Sequence, residues 1–548
     1  MVQTQGASTD SAGGSAAPPV PAQAPVDDFT LEWTDFEDFF SRRAASDEEY
    51  LVELGAEPGV RRTWTAGEWR DEVAKVAGFL RSRGVQPGAV VATLAGNSAL
   101  GLSVAFACWT IGAAVMPLNP GETDARLEYV LKDAGTHLLV CSEQFDGTAE
   151  QLARACGLSA YNATRGGFAH DEAGEDRRAE SAGVDAGALL VYTSGTTGAP
   201  KPVGLTVRNL LTHTHGLTAA LGWTERERVI TVLPIHHVNG LLISCLLPWH
   251  IGASTVLCDR FRSDRFWDDV EREGATVTSV VPSLLEFLMG GGEQRRGLLT
   301  EVLCGAGPLR PDAAVGFERE FDVPVRHLYG LSEVTAVASI MPRLPREVRE
   351  RLYQDHGFPS FGRPIPHVEV EVLNSGFERC EPGERGQLAV RGATVFGGYR
   401  MQGVEEPFAG GWFLSGDQGF WVEEGGERYF FIAGRTKELI IRGGVNLAPV
   451  EIDAVLMSHE AVSFGLAIPF ENRFYGEEVA AYVVPAADVT EEELIAHCRE
   501  RLGFEKSPKV VVFGKDVPFT STGKARRLEL KDTLASELAR YRDTQFRR

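Results

Sequence analysis

Cysteine pairs at disulfide or metal-binding spacing are missing from this 548-residue sequence. Its eight cysteines are scattered, with no C-x-x-C among them. A thiolate metal centre and a disulfide-framed secreted fold are therefore excluded as organising principles. Reduced, mostly buried thiols in a cytoplasmic protein are the expectation. Positive charge is also scarce: 54 Lys and Arg stand against 76 Asp and Glu, a formal net charge of -22. A field of that sign repels polyanions, so nucleic acid is not an expected partner. Any phosphate ligand needs a local positive site built from lysines, arginines and backbone N–H groups.

A signal peptide is missing as well. Residues 1–27 are rich in Ala, Pro, Gly, Ser and Gln and have neither a basic start nor an apolar run, which predicts a disordered tail. The uncharged stretch Ala99 to Leu118 is long enough to cross a bilayer. It is interspersed with Gly and other small residues and runs into the turn Asn119-Pro120-Gly121. That pattern predicts a buried helix followed by a buried strand, with no membrane span.

What is present is an ordinary globular composition, 43% hydrophobic and 24% charged, in a chain too long for one core. Trp64 to Gly84 reads as an amphipathic helix. Ala89–Leu94, Leu189–Tyr192, Val229–Leu233, Ala275–Val281 and Val302–Cys304 read as buried strands with helical segments between them, the alternation of helix-covered, largely parallel sheets. From Val368 to Tyr399 short strands broken by Gly and Pro predict an antiparallel or barrel-like piece. Beyond Glu438, short strands mix with helices. The expected fold is α/β: a large N-terminal domain (28–434) of helix-covered mixed sheets plus a barrel-like β subdomain, a hinge at 435–437, and a small C-terminal α+β domain (438–548).

One loop stands out. Tyr192-Thr193-Ser194-Gly195-Thr196-Thr197-Gly198-Ala199-Pro200-Lys201 follows an apolar strand and is closed by a lysine. Glycines let backbone N–H groups approach phosphate oxygens, hydroxyls add donors, and the lysine adds a charge-assisted bond of about 1.5–3 kcal/mol. It is not a Walker A loop, because the glycine and lysine are not adjacent and no Ser or Thr follows the lysine. On composition alone a flexible surface turn is an equal alternative. The full string resembles the phosphate-binding signature of the adenylate-forming superfamily, which comprises acyl-CoA synthetases, luciferases and adenylation domains.

Further motifs follow in that superfamily's order, over about residues 30 to 530. Each taken alone reads as a turn or a solvated charge. Cys304-Gly305-Ala306-Gly307-Pro308 resembles the loop along the adenine. Tyr329-Gly330-Leu331-Ser332-Glu333 resembles the segment whose tyrosine packs on the base, whose Ser contacts phosphate and whose glutamate helps hold Mg²⁺, here with Thr193 as second candidate. Asp417, in Ser415-Gly416-Asp417, matches the residue that binds both ribose hydroxyls. Arg435 matches a nucleotide contact, Lys437 the pivot of a mobile C-terminal domain, and Gly443-Gly444 the lining of a thiol tunnel, against a plain hairpin turn. Lys524, in Thr522-Gly523-Lys524, matches the catalytic lysine. His237, in Pro234-Ile235-His236-His237-Val238-Asn239, sits where the acyl pocket is shaped, and Asn239 and the 259–267 stretch with Phe266 and Trp267 lie in the same region. His327 replaces the amide residue usual two places before the tyrosine.

The resemblance implies ATP-dependent activation of a carboxylic acid. In that chemistry the acid displaces pyrophosphate from ATP to form an acyl-adenylate, and AMP then leaves as a thiol attacks. Lys524, Lys201, Glu333 and His237 are the candidate catalytic residues; ATP, Mg²⁺ and coenzyme A are the implied cofactors. Coenzyme A is favoured as acceptor by the Gly-Arg-Thr-Lys hinge and by the absence of a carrier domain after Lys524. A separate carrier protein, an amine (including nitrite-dependent diazotisation), or a non-catalytic nucleotide sensor are the alternatives.

Overall fold

Short apolar strands alternate with capped helices through the first two thirds of the chain, and in the computed structural model they build two sheets. The structure describes residues 29–43, 45–57, 59–168, 182–193, 200–289, 295, 298–307, 309–399, 407–435, 438–443, 445–519 and 525–547. The expected tail at 1–27 lies outside them.

The first sheet has six strands in the spatial order Ser159–Asn162, Leu138–Cys141, Val90–Leu94, Ala114–Pro117, Gly187–Thr193, Lys201–Thr206. The pairings are parallel except the last, an antiparallel hairpin whose register sets Thr193 opposite Lys201. The expected helix from Trp64 begins later, at Ala66. Thr65 accepts from the Glu68 backbone N–H while the Glu68 carboxylate accepts from that of Thr65, a capping box that fixes the start. Trp64 and Thr65 belong instead to the strand Arg61–Thr65. The uncharged stretch is the buried helix Ala99–Thr110 and the strand Ala114–Pro117. No helix among the described residues is long and apolar enough to cross a membrane.

Among the described residues the second sheet has 14 strands. Its centre is parallel, running Glu49–Leu54, Ser254–Cys258, Arg228–Thr231, Val277–Val280, Glu301–Cys304 and Val325–Tyr329 side by side. Beyond Val325–Tyr329 the pairing turns antiparallel through Ser339–Ile340, Ser360–Pro364, Glu427–Arg435, Trp412–Glu424, Gly386–Gly392 and Val368–Leu373. The Gly-broken strands from Val368 onward are therefore the antiparallel arm of the large sheet. Inside it Arg326 and Glu301, each 1% exposed, pair at 3.2 Å.

A third sheet, of five strands, begins at Ile440 and is flanked by the helices Pro449–Met457, Glu491–Lys506 and Arg527–Leu538. Arg527, at the start of the last of these helices, lies 2.5 Å from Asp453 in the first, both nearly fully buried.

Candidate active site

Four loops leave the large sheet at the carboxyl ends of neighbouring parallel strands: 232–238 after Arg228–Thr231, Val281 after Val277–Val280, 305–307 after Glu301–Cys304, and 330–331 after Val325–Tyr329. In an α/β sheet this edge is where ligands collect. The loops are held close. Gly305 donates to Val280 O at 3.2 Å, and a Cβ on Gly330 would fall 1.7 Å from the Ala336 carbonyl oxygen, so only glycine fits there. Ala306 holds φ 64°, a conformation that side chains rarely adopt, in the loop expected to face the adenine. Gly307 packs against Pro282.

Tyr329 stands last on its strand. Its ring stacks on Phe361 at 4.5 Å between centroids, and its hydroxyl donates to Asp417 Oδ2 at 2.9 Å. Burial, then the Asp417 carboxylate, push the phenol well above its ordinary value, so it stays a donor. Asp417 is set by its own turn, its N–H donating to Ser415 Oγ at 3.1 Å, and its Oδ1 lies 3.4 Å from Arg435 Nε. Burial opposes the Arg435 charge, but Asp417 and Glu438 outweigh it and raise the guanidinium above its usual range. Two places before Tyr329, His327 is 3% exposed. Its Nδ1 and the Ser360 carbonyl oxygen are 3.0 Å apart, a contact that requires the N–H there. Burial pushes it down to about 4, partly opposed by that carbonyl, so Nε2 of the neutral ring is left as an acceptor.

Four residues beyond Tyr329, the buried Glu333 begins a second group. Its Oε1 accepts from the Tyr399 hydroxyl at 2.7 Å. Lys201 Nζ lies over the same tyrosine ring, 4.7 Å from its centroid. Ser332 opens the single 3-10 turn that carries Glu333. Thr193 Oγ1 donates to the Lys201 carbonyl at 3.4 Å and so closes the hairpin at its loop end. The structure thus joins Tyr329, Asp417 and Arg435 in one contact group and Lys201 and Glu333 in another, with Gly330 and Ser332 in the segment between them.

His237 lies in a turn, its N–H on Pro234 O at 3.1 Å, with its ring 4.4 Å from that of His236. Burial, then the neighbouring His237, push His236 down to about 3. Asn239 Oδ1 accepts from Ser279 Oγ at 2.9 Å, tying this segment to the strand beside the 305–307 loop. Phe266 and Trp267, expected near the acid pocket, are core residues, each 2% exposed. Gly443 sits at the turn of the hairpin Ile440–Arg442/Val445–Leu447 and donates to Tyr475 O at 2.7 Å, within the small sheet. Ser194, Gly195, Thr196, Thr197, Gly198, Lys437, Gly444 and Lys524 lie outside the described residues.

Comparison with known proteins decides the family. The profile of the AMP-binding enzyme family matches residues 40–400, and that of the AMP-binding enzyme C-terminal domain matches residues 451–524. This chain belongs to the AMP-binding enzyme family. An oxalate–CoA ligase of Arabidopsis thaliana is 32% identical over 483 residues, 84% of this chain and 92% of that one. A sulfoacetate–CoA ligase of Cupriavidus necator is 33% identical over 432 residues, 76% and 82% of the two chains. The crystal structure of ATP-bound MatB from Rhodopseudomonas palustris matches with a TM-score of 0.82 at 25% identity, covering 91% of this chain and 98% of that one.

Two residues in contact with this AMP-binding enzyme's candidate site carried no signal in the sequence. Tyr399 lies in a Gly-Gly-Tyr string with no charged neighbour before it, and Phe361 in a strand of mixed pattern. Only the fold brings them to Glu333 and Tyr329.

Proposed function

We propose that this AMP-binding enzyme uses ATP and Mg²⁺ to convert a small carboxylic acid to its acyl-adenylate, releases pyrophosphate, and transfers the acyl group to coenzyme A. One observation carries the reading. The five-residue segment Tyr329–Glu333 is bonded at one end to Asp417 and at the other to Tyr399, under the Lys201 ammonium. A carboxylate suited to two hydroxyls and a lysine–glutamate group suited to phosphate and metal are thus linked by a single short stretch of backbone, which supports one nucleotide spanning both.

In the first step an acid oxygen attacks the α-phosphorus, and the bond to the bridging oxygen of pyrophosphate breaks. The protein positions these groups and offsets charge. Asp417 accepts both ribose hydroxyls, which a carboxylate with two oxygens can do. Tyr329 packs on the base beside the 305–307 loop, and His327 Nε2 accepts from the adenine amino group in place of an amide oxygen. Lys201, with the backbone and hydroxyls of Thr193, Ser194, Gly195, Thr196, Thr197 and Gly198, holds the departing phosphates. Lys524 reaches the α-phosphate and the acid oxygen.

No cluster of three or more His, Cys, Asp or Glu that could hold a metal occurs among the described residues. That suits Mg²⁺, which takes one carboxylate, substrate phosphates and water rather than an all-protein cage. Glu333 would hold it, with Thr193 beside it, and when bound it neutralises charge between that carboxylate and the triphosphate.

In the second step the thiol sulfur attacks the acyl carbon and AMP leaves. We place the domain boundary at 435–437, with 438–548 turning about Lys437 so that Gly443-Gly444 replaces Lys524 at the site. The strand ending at Arg435 belongs to the large sheet and the third sheet opens at Ile440, which supports that placement. The acid we propose is small and polar, of the class named for the oxalate and sulfoacetate relatives, held near His237 and Asn239. Pyrophosphate exchange with a panel of oxalate, sulfoacetate, longer dicarboxylates and aromatic acids, followed by mass analysis after adding coenzyme A, tests the reading. Acid-dependent exchange and a thioester are expected; exchange that yields no thioester would place the acceptor elsewhere.

A further inference from the structure

Lys201 and Glu333 carry opposite charges at the same end of the site, and in water-poor surroundings such groups pair unless something stands between them. Here it is Tyr399. The cation lies over the ring face at 4.7 Å and the carboxylate accepts from the hydroxyl at 2.7 Å, while no ion pair joins Lys201 to Glu333 among the described residues.

The tyrosine stands on a fixed platform. The loop after strand Gly386–Gly392 is held by Asn209, whose amide donates to the carbonyls of Ala393 and Val395 at 2.8 and 3.2 Å, and by Thr335, whose hydroxyl donates to the Thr394 carbonyl oxygen. The Phe396 N–H donates to the Glu333 carbonyl at 2.8 Å, and its ring meets Tyr399 edge-on at 4.9 Å. Asn209 Oδ1 also accepts from the N–H of Thr206, the N-cap of the helix that follows strand Lys201–Thr206. The segments bearing Lys201, Glu333 and Tyr399 are therefore referenced to one another by backbone contacts, and the tyrosine ring is not a loose surface group.

We propose that Tyr399 is a positioning residue that keeps Lys201 and Glu333 apart and orients the Glu333 carboxylate for the metal. The proposal rests on the assignment of Lys201 to phosphate and Glu333 to Mg²⁺. The phenol's hydrogen bond to Oε1 would hold the carboxylate in one orientation with acceptor capacity left for the cation, and the lysine is left for phosphate. A hydrogen bond of this kind behind a metal-ligating carboxylate is worth about 10- to 100-fold in metal affinity.

The test is calorimetry of ATP binding to the full chain across a series of Mg²⁺ concentrations, which needs no acid and no turnover. Y399F is expected to leave metal-free ATP affinity within about twofold while reducing the enhancement by Mg²⁺ about tenfold. Y399L, which also removes the ring, should weaken metal-free binding as well, because Lys201 is then free to pair with Glu333. E333Q serves as the reference. If E333Q keeps the full Mg²⁺ enhancement, the metal reading of Glu333 fails and the proposal falls with it. If E333Q loses the enhancement and Y399F retains it, the role of Tyr399 alone is overturned. General damage by Y399F would lower ATP affinity equally with and without Mg²⁺, which also overturns the proposal. Should Y399L not fold, the Y399F result decides.

Discussion

The Tyr329 hydroxyl donates to Asp417 Oδ2 at 2.9 Å across 88 residues of chain, and it makes the aspartate that should bind the ribose part of a network with the half-exposed Arg435. Because each member supports the next, their effects on ATP binding should be ranked. Asp417→Ala removes the acceptor itself and leaves Arg435 without its partner. Tyr329→Phe removes one hydrogen bond to a charged group, about 1.5–3 kcal/mol. Titration calorimetry should show ATP affinity falling in Tyr329→Phe, where Asp417 loses its orienting partner, and further in Asp417→Ala. Unchanged affinity in Asp417→Ala would remove this residue from the nucleotide site.

Acid pH should destabilise the protein through its buried histidines. Burial holds His213 down to about 3 and, with its neighbour His237, His236 likewise; burial and the neighbouring His215 hold His250 at about 4, and burial holds His327 at about 4. In the unfolded chain they titrate near 6.5. Between about 6.5 and 3 the unfolded chain therefore binds protons that the folded chain does not, so stability is complete above about 6.5 and is lost as pH falls through that window. His213 shows why: its Nε2 accepts from the Val337 N–H at 3.1 Å, which a protonated ring cannot do. Thermal unfolding at pH 7.5 and 5.0 should show the drop, and His213→Gln should make the dependence shallower.

In the C-terminal unit the buried pair of Asp453 and Arg527 joins helix Pro449–Met457 to helix Arg527–Leu538, with Arg527 also donating to the Ala467 carbonyl. Burial pushes Asp453 above its ordinary value despite the arginine, so loss of Arg527 would leave a carboxyl group with no cation beside it. Arg527→Ala should cost about 3–5 kcal/mol by chemical denaturation.

The candidate site's residues were found in the sequence because they stand in contiguous strings. Gly330 is required by the Ala336 carbonyl, Asp417 by its Ser-Gly turn, and Thr193 and Lys201 by their pairing across a hairpin, and each of these lies within a short motif. The parallel sheet was legible because its strands are continuous apolar runs. What was not legible depends on convergence. Tyr399 gains its meaning only when a hairpin, a 3-10 turn and a loop meet. The large sheet continues into its antiparallel arm through Ser339–Ile340, a two-residue strand too short to show any period. Trp64 and Thr65 were misassigned because periodicity alone runs past the capping box that starts the helix at Ala66.

Lys524→Ala should separate the two half-reactions. Adenylation is expected to fall by about 10²–10³, the scale for losing a preorganised stabiliser, whereas thioester formation from a presynthesised acyl-adenylate should survive. Stopped-flow or quenched assays of each half-reaction measure the split. Equal losses would contradict the assignment of Lys524 to the first step.

The account turns on an acyl-adenylate, and oxygen transfer tests that most directly. An acid that supports pyrophosphate exchange, labelled with ¹⁸O in its carboxylate, should deliver one labelled oxygen to AMP when coenzyme A completes the reaction, read by mass spectrometry. Label found in inorganic phosphate, with ADP as the nucleotide product, would contradict it.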